Sequence, residues 1–488
     1  MFSPNLLHLW PLLPGLLLPT ISGWMILRLL EWKTPVLAQG ERWTLGLLLG
    51  LTMTMYLTFL IHILGWISLT RWGFLGVQLI VAVLLSALRY GLQVTGKTTC
   101  NFQRANVPKW IKIVFILLGI WTAIKVLATG ITFSLFTPLF FDDAIDNWNM
   151  RGKTFFIDQK LVLVLPGQSQ ETFASGVSSY PPTVPLVKAY LASILGSWDE
   201  NLINSVHFMW YLLILTLIFL FLKRLLSPIW GALGVYIIVS LPLYLVHGTN
   251  PYADVFLSGH IFAAAMLLFL SAHEEDAEKK RSFLRLAILG VALLPFTKNE
   301  GLLLYFPPLV LFTIILILKN RKHFYSICTL FSCCTLSVLL PWLLFKWSHH
   351  LQFGNAKSIN AFTEFSWQSE ALIAIFLNTF FLGNWLLFFF LCFGLLIWQW
   401  RSTFSSPLLV LTGFFLIVYF GQLGLYLFTG LSAEAVKQTG YARGIVHLVP
   451  VMVMITVLLL EKTVLSVTKK NQEVSLIQDA HEGSCAGR

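Results

Sequence analysis

Residues 111–136 read IKIVFILLGIWTAIKVLATGITFSLF, and a few residues later the chain turns to Phe141-Asp142-Asp143-Ala144-Ile145-Asp146-Asn147-Trp148. A bilayer core takes about 20 apolar residues as a helix, so this is a membrane span leading straight into an acidic segment. The same pattern recurs on both sides. Apolar runs bounded by polar clusters fall near 5–30, 44–66, 72–92, 201–222, 229–248, 252–272, 283–297, 301–318, 325–347, 379–399, 407–429 and 445–461. With 111–136 they predict an all-α polytopic membrane protein of about 13 transmembrane helices. Composition agrees. Of 488 residues 57% are hydrophobic and 11% charged, with 40 Phe and 18 Trp, against about 25% charged in an ordinary soluble domain. A soluble enzyme, a disordered chain and a nucleic-acid binder are excluded.

The net charge of +11 does not indicate a nucleic-acid partner, because the basic residues sit mainly between apolar runs. Lys97, Arg104, Lys109, Lys223, Arg224, Lys279–Arg281, Lys319, Arg321, Lys322, Lys469 and Lys470 share one side. The positive-inside rule makes that side cytoplasmic. The N-terminus and the segments 137–200, 348–378 and 430–444 then face outward, and the tail faces inward. The outer segment 137–200 is expected to be partly helical, near 143–157. The first run holds Pro11, Pro14 and Pro19, so a broken or re-entrant helix is expected there. It has no basic leader or small-residue cleavage site of a signal peptide. The six Cys lie in apolar runs or on the cytoplasmic side, which suggests no disulfide framework.

Several motifs carry chemistry. Gly91–Thr98 fits the phosphate-loop spacing formally, but it follows a membrane helix rather than a strand, so it reads as a cytoplasmic turn. Asp142 and Asp143 are adjacent carboxylates at the outer end of a span. Mutual repulsion raises at least one pKa, which suits a general base; the competing reading is capping of the helix that follows. Arg151 and Lys153 come one or two turns later, as phosphate ligands or as counter-ions to the acids. Tyr180-Pro181-Pro182 and Trp198-Asp199-Glu200 order the outer loop. Tyr252-Ala253-Asp254, Thr297-Lys298-Asn299-Glu300-Gly301 and Tyr441-Ala442-Arg443-Gly444 with His447 and Pro450 place Asp254, Lys298 and Arg443 at outer span ends. Acids and cations at one depth describe a site for an anionic substrate. Lys125 lies within a span, a functional candidate by its cost there. Gly46 and Gly50 are spaced for helix packing. No His-rich or Cys-rich metal signature is present; a divalent ion on scattered carboxylates and His447 stays open.

Taken in order, these segments resemble the GT-C superfamily of membrane glycosyltransferases, nearest to the bacterial dolichyl-phosphate-mannose protein mannosyltransferase and lipid A aminoarabinose transferase type. Asp143 to Lys153, Tyr180–Pro182, Trp198–Glu200, Tyr252–Asp254, Thr297–Gly301 and Arg443–Pro450 carry the likeness, over about 111–461. The resemblance implies a GT-C-type bundle with a partly helical extracytoplasmic first loop. It implies inverting transfer of a sugar from a polyprenyl-phosphate donor to an acceptor hydroxyl on a lipid, glycan or protein. By resemblance Asp143 is the base, with Asp142 its rival, and Lys298 and Arg443 stabilise the departing phosphate. Asp254 orients the acceptor or holds a metal. Arg151, Lys153, Tyr180 and His447 complete the expected substrate contacts. The family places its acidic loop after the first span, whereas here three spans precede that helix. Residues 1–110 are therefore expected to be an N-terminal addition, 111–462 the transferase module and 463–488 a cytoplasmic tail, in a bacterial inner membrane with the site facing outward. The alternative from another class is a transporter or lipid-linked glycan flippase, which calls for midplane charges and duplicated halves.

Overall fold

The computed structural model describes residues 10–32, 34–94, 108–165, 177–353 and 365–485, with side chains as far as Ser466. Lys97, Arg104 and the end of the Gly91–Thr98 stretch lie outside the described residues, as do residues 1–9. Every regular element among the described residues is helical. Ten helices are long and apolar enough to cross a membrane, or eleven when one bent pair counts as a single span. The protein is an integral membrane protein of the expected all-α class.

The count of thirteen is corrected at two runs. At 283–297 the helix is α11 in the numbering below, Ala277–Leu293; Lys279, Lys280, Arg281 and Arg285 occupy its first half, and Pro295 closes the tight turn that follows. Too few residues remain for an uninterrupted apolar span. At 379–399 the chain turns between two short helices, with Gly383 at φ 78° and Leu386 at φ 50°, leaving Phe388–Trp398 as the apolar helix. Among its described residues the first run shows no break: Leu12–Glu31 is one helix with Pro19 inside it.

In chain order the helices are α1 (Leu12–Glu31), α2 (Gln39–Ile63), α3 (Arg71–Gly91), α4 (Lys109–Ile131), α5 (Met150–Asp158), α6 (Thr183–Leu195), α7 (Glu200–Leu225), α8 (Pro228–Ser240) and α9 (Pro242–Thr249). They continue as α10 (Ala253–His273), α11 (Ala277–Leu293), α12 (Phe306–Lys319), α13 (Phe324–Ser348), α14 (Ser369–Phe380), α15 (Phe388–Trp398), α16 (Leu409–Phe428) and α17 (Gly440–Cys485). Helix α10 is the axis of the bundle, 94% buried over its span, with α11, α17 and α7 packed on it. Helix α4, 11% buried, offers nearly its whole apolar surface to lipid. Because α10 and α11 form a hairpin through 274–276, Asp254 and Lys298 return to the same end.

Helices α8 and α9 meet at 84°. Proline has no N–H and clashes with the carbonyl four residues back, and Pro242 breaks the helix after Leu241, which is extended at ψ 111°. The Leu243 N–H turns to the Asn384 carbonyl at 3.4 Å. The Val239 carbonyl, deprived of that donor, receives the ammonium of Lys125 at 3.1 Å. This is the partner of the one intraspan lysine singled out from the sequence.

Helices α1 and α2 belong to the same packed core. Thr52 on α2 pairs with His260 on α10 at 2.8 Å, and Tyr190 on α6 donates to the Gly15 carbonyl of α1 at 2.5 Å. Away from the site, Glu31 joins Arg28 (3.2 Å) and Arg42 (2.9 Å), while Arg224 of α7 grips Glu41 at 2.5 Å. The expected packing of Gly46 and Gly50 is present: α1 and α2 cross where Gly23 faces both. A Cβ on Gly50 would sit 2.7 Å from Gly23 Cα, with nothing flexible to give way. Overpacking of this kind costs about 1–3 kcal/mol. Gly50→Ala should lower the thermal unfolding midpoint of purified protein, and Gly119→Ala, whose Cβ would meet nothing within 4 Å, should not.

Candidate active site

The site grows from a helix start with a buried acid. Asp254 is the second residue of α10 and its relative exposure is 0%. A buried carboxylate needs touching cations or donors, and here they come from three segments. Lys298 Nζ lies 2.7 Å from Oδ1, delivered by the link after α11. Arg443 Nε reaches Oδ2 at 3.2 Å and His447 Nε2 reaches Oδ1 at 2.9 Å, both from the first turns of α17. His247 Nδ1, on α9, stands 3.3 Å from Oδ2.

The network continues outward from each partner. His447 Nδ1 meets the Tyr305 hydroxyl at 2.8 Å, and that hydroxyl accepts from Gln422 Nε2 at 2.9 Å. An imidazole protonated at Nε2 satisfies both ends, giving a proton to Asp254 and taking one from Tyr305. Lys298 also meets Glu300 Oε1 at 3.2 Å. Burial pulls the Lys298 ammonium down, and the Asp254 and Glu300 carboxylates outweigh that effect, so its pKa ends above the usual value. Tyr180 is held well above the usual phenol value by the Glu300 carboxylate first and by burial second. It therefore serves as a neutral hydroxyl near neutral pH.

Arg443 joins this buried core to the acidic segment. Its Nη1 lies 2.5 Å from Asp143 Oδ2, and the two side chains keep 31% and 39% of their surface exposed. One guanidinium thus touches a dry carboxylate and a wet one. The Tyr252 ring lies 5.7 Å from the same guanidinium, which explains the Tyr of the Tyr-Ala-Asp segment. The helical stretch expected near 143–157 is present as a widened turn, Asp143–Asn149, running into α5. Asp142 does what its capping reading described: its Oδ1 accepts the Asp143 N–H at 2.8 Å.

The remaining motif residues divide. Trp198 packs on Phe156, Asp199 caps α7 through the Leu202 N–H at 3.1 Å, and Glu200 accepts from Asn149 at 3.0 Å. Arg151 is buried and donates to the Tyr180 carbonyl at 3.0 Å; burial draws its pKa down to about 9. Lys153 is exposed and takes no part in these ion pairs. Sequence reading missed His247, which follows a proline break unlike any motif. It also missed Lys346, two residues from the end of α13 beside Trp342 and Trp347, a pattern that reads as a cation reaching for the interface. Among the described residues no group of three or more His, Cys, Asp or Glu is placed to hold a metal ion.

Residues 179–345 match the family model described as Dolichyl-phosphate-mannose-protein mannosyltransferase. Over that segment the chain is similar to the dolichyl-phosphate-mannose-protein mannosyltransferases. The segment takes in Tyr180–Pro182, Trp198–Glu200, Tyr252–Asp254 and Thr297–Gly301, roughly a third of the chain, and leaves Asp143 and Arg443 on either side. Among solved structures, ArnT from Cupriavidus metallidurans bound to undecaprenyl phosphate aligns with a TM-score of 0.47 at 12% identity. The alignment covers 73% of this chain and 61% of that one, so the chain spans less than two thirds of that protein. No curated protein matches the chain.

Removing one partner of a buried ion pair costs about 3–5 kcal/mol. Asp254→Asn should therefore lower the unfolding midpoint more than any other single change in this cluster. Glu300→Gln, at a carboxylate that keeps 32% of its surface exposed, should cost about 1 kcal/mol or less. Chemical denaturation of both variants checks the order.

Proposed function

We propose that the protein transfers a sugar from a polyprenyl-phosphate donor to an acceptor hydroxyl at the extracytoplasmic face, with inversion at the anomeric carbon and Asp143 as general base. One observation carries the choice of base. Asp143 is a partly open carboxylate aimed by Arg443, which is itself anchored on buried Asp254. Asp142 is committed to the neighbouring N–H. The family match supports the chemistry, since its description names a dolichyl-phosphate sugar.

The acceptor oxygen attacks the anomeric carbon as the bond from that carbon to the lipid phosphate oxygen breaks. The acceptor proton passes to Asp143, and the lipid phosphate departs as an anion. Positioning a base in this way is worth about 10²–10⁴-fold in rate. Tyr180, a neutral hydroxyl, can donate to the sugar or phosphate. Asp254 holds Arg443, Lys298 and His447 in register. Residues 143 to 447 include every member of the cluster, which supports placing the chemistry in 111–462, with 1–110 as an N-terminal addition and 463–488 as the cytoplasmic tail. The positive-inside pattern supports an outward site in a bacterial inner membrane. The acceptor is a lipid, glycan or protein. The transport reading keeps little support, because Lys125 is engaged by a helix-break carbonyl.

The test is transfer in nanodiscs with a panel of polyprenyl-phosphate sugars and an acceptor-rich membrane extract. Asp143→Asn should reduce turnover by at least about 10²-fold. Asp142→Asn should stay within about tenfold, because Asn caps as well as Asp. Full activity in both variants would remove the carboxylate base, and the opposite order would make Asp142 the base.

A further inference from the structure

The acidic turn that carries Asp143 is held at both ends, and only one of those holds belongs to the Asp254 cluster. At its start Asp143 pairs with Arg443, and both side chains stay partly exposed. Exposed ion pairs are weak, and one contact leaves a turn free to rotate about it. At its other end the last residue, Asn149, is buried. Asn149 Nδ2 donates to Glu200 Oε1 of α7 at 3.0 Å, and Asn149 Oδ1 accepts from Lys188 Nζ. A donor on one side and a carboxylate on the other leave this amide a single orientation.

Lys188 is unlike the other cations of the outer segments. It sits in the middle of α6 at 0% exposure, and among the described residues it makes no ion pair. Its partners are two amide oxygens, Asn149 Oδ1 and Asn204 Oδ1, the second at 2.7 Å. Burial pulls its pKa well below the ordinary lysine value, against the opposing effect of Glu200. Charged or neutral, the amine keeps enough N–H donors for both oxygens. Burying such a group costs free energy that an apolar side chain would not, so its presence marks a need for directed donors.

The helix that carries Lys188 cannot give way. Helix α6 is buried from Thr183 to Ile194, with the Thr183 hydroxyl on the Phe296 carbonyl and the Tyr190 hydroxyl on the Gly15 carbonyl. Helix α5, which continues the acidic turn, lies close against it. A Cβ on Gly152 would stand 2.9 Å from Lys188 Cβ and 3.1 Å from Trp198 Cη2. Trp148, in the same turn, packs on Tyr180 at 5.8 Å, next to the Ser179 carbonyl that Lys346 Nζ steadies at 2.5 Å. Lys188 thereby passes the rigidity of α6 to a turn whose middle residues, Ile145 and Asp146, are exposed.

We propose that Lys188 is a positioning residue for sugar transfer: through Asn149 it sets the place of the turn, and so presents Asp143 to the acceptor hydroxyl. The assignment rests on the reading of Asp143 as base. Lys188 itself touches no reacting atom.

The test joins kinetics to hydrogen exchange on the full-length protein in nanodiscs, with the same donors and acceptor extract. A small misplacement of a reacting group costs up to about 10²-fold, so Lys188→Met should lower kcat by about tenfold or more and keep the donor KM within about threefold. In an Asp143→Asn background the same change should cost less than about threefold, because residues acting through one group are not additive. Backbone amides of 143–149 should exchange at least about tenfold faster in Lys188→Met, while those of 183–195 keep their rates. Gly152→Ala, which keeps the amine but wedges α5 off α6, should repeat the pattern, and it carries the test if melting curves show that Lys188→Met does not fold. An equal kcat loss with and without Asp143 would overturn the proposal, as would unchanged exchange over 143–149 in the folded variant. Faster exchange over 143–149 in a protein whose wild type transfers no sugar would uphold the tether and overturn the transferase reading.

Discussion

A carboxylate shut away from water is tolerated only when cations and donors reach it from every open direction, and Asp254 meets that condition with groups from α9, the 297–300 link and α17. Each of those segments is fixed by the contact it makes. The hairpin of α10 and α11 must close at the right length to return Lys298 to the start of α10. Helix α17 must enter at a rotation that presents Arg443 and His447, one turn apart, to the same acid. The break at Pro242 turns α9 so that His247 stands beside it. The rest of the site, including the aim of Asp143, follows from this one matched charge.

Much of this was legible beforehand, because membrane proteins write their polar residues sparingly. An acid or cation at the end of an apolar run has few duties available, and Asp143, Asp254, Lys298 and Arg443 stood out on that ground. Which of them pair could not be read, since spacing along a chain does not give the rotation of one helix against another. Arg443 and Lys298 thus looked like free phosphate ligands until their carboxylates were in view. Lys346 was hidden by its ordinary setting among interfacial tryptophans. The run at 283–297 looked long enough to span because a hydropathy window counts the apolar residues near Pro295 and discounts the charged first half of α11.

Lys125 shows how a costly residue can serve the frame rather than the chemistry. A proline bend leaves carbonyls without their helical donors, and in a membrane no water replaces them. The lysine reaches across from α4 to supply the missing donor at Val239. The bend, the lysine and the position of His247 are then parts of one arrangement, although nothing in their spacing announces it.

The contact between Arg443 and Asp143 spans 300 positions of sequence. During synthesis the acidic segment and α10 leave the ribosome long before α17, so Asp254 enters the bundle with neither Arg443 nor His447 to meet it. A nascent chain that has not yet made α17 therefore carries an underneutralised Asp254 and an Asp143 without its guanidinium partner. Closure of the Asp254 cluster therefore waits on α17, and the placing of Asp143 against Arg443 waits with it.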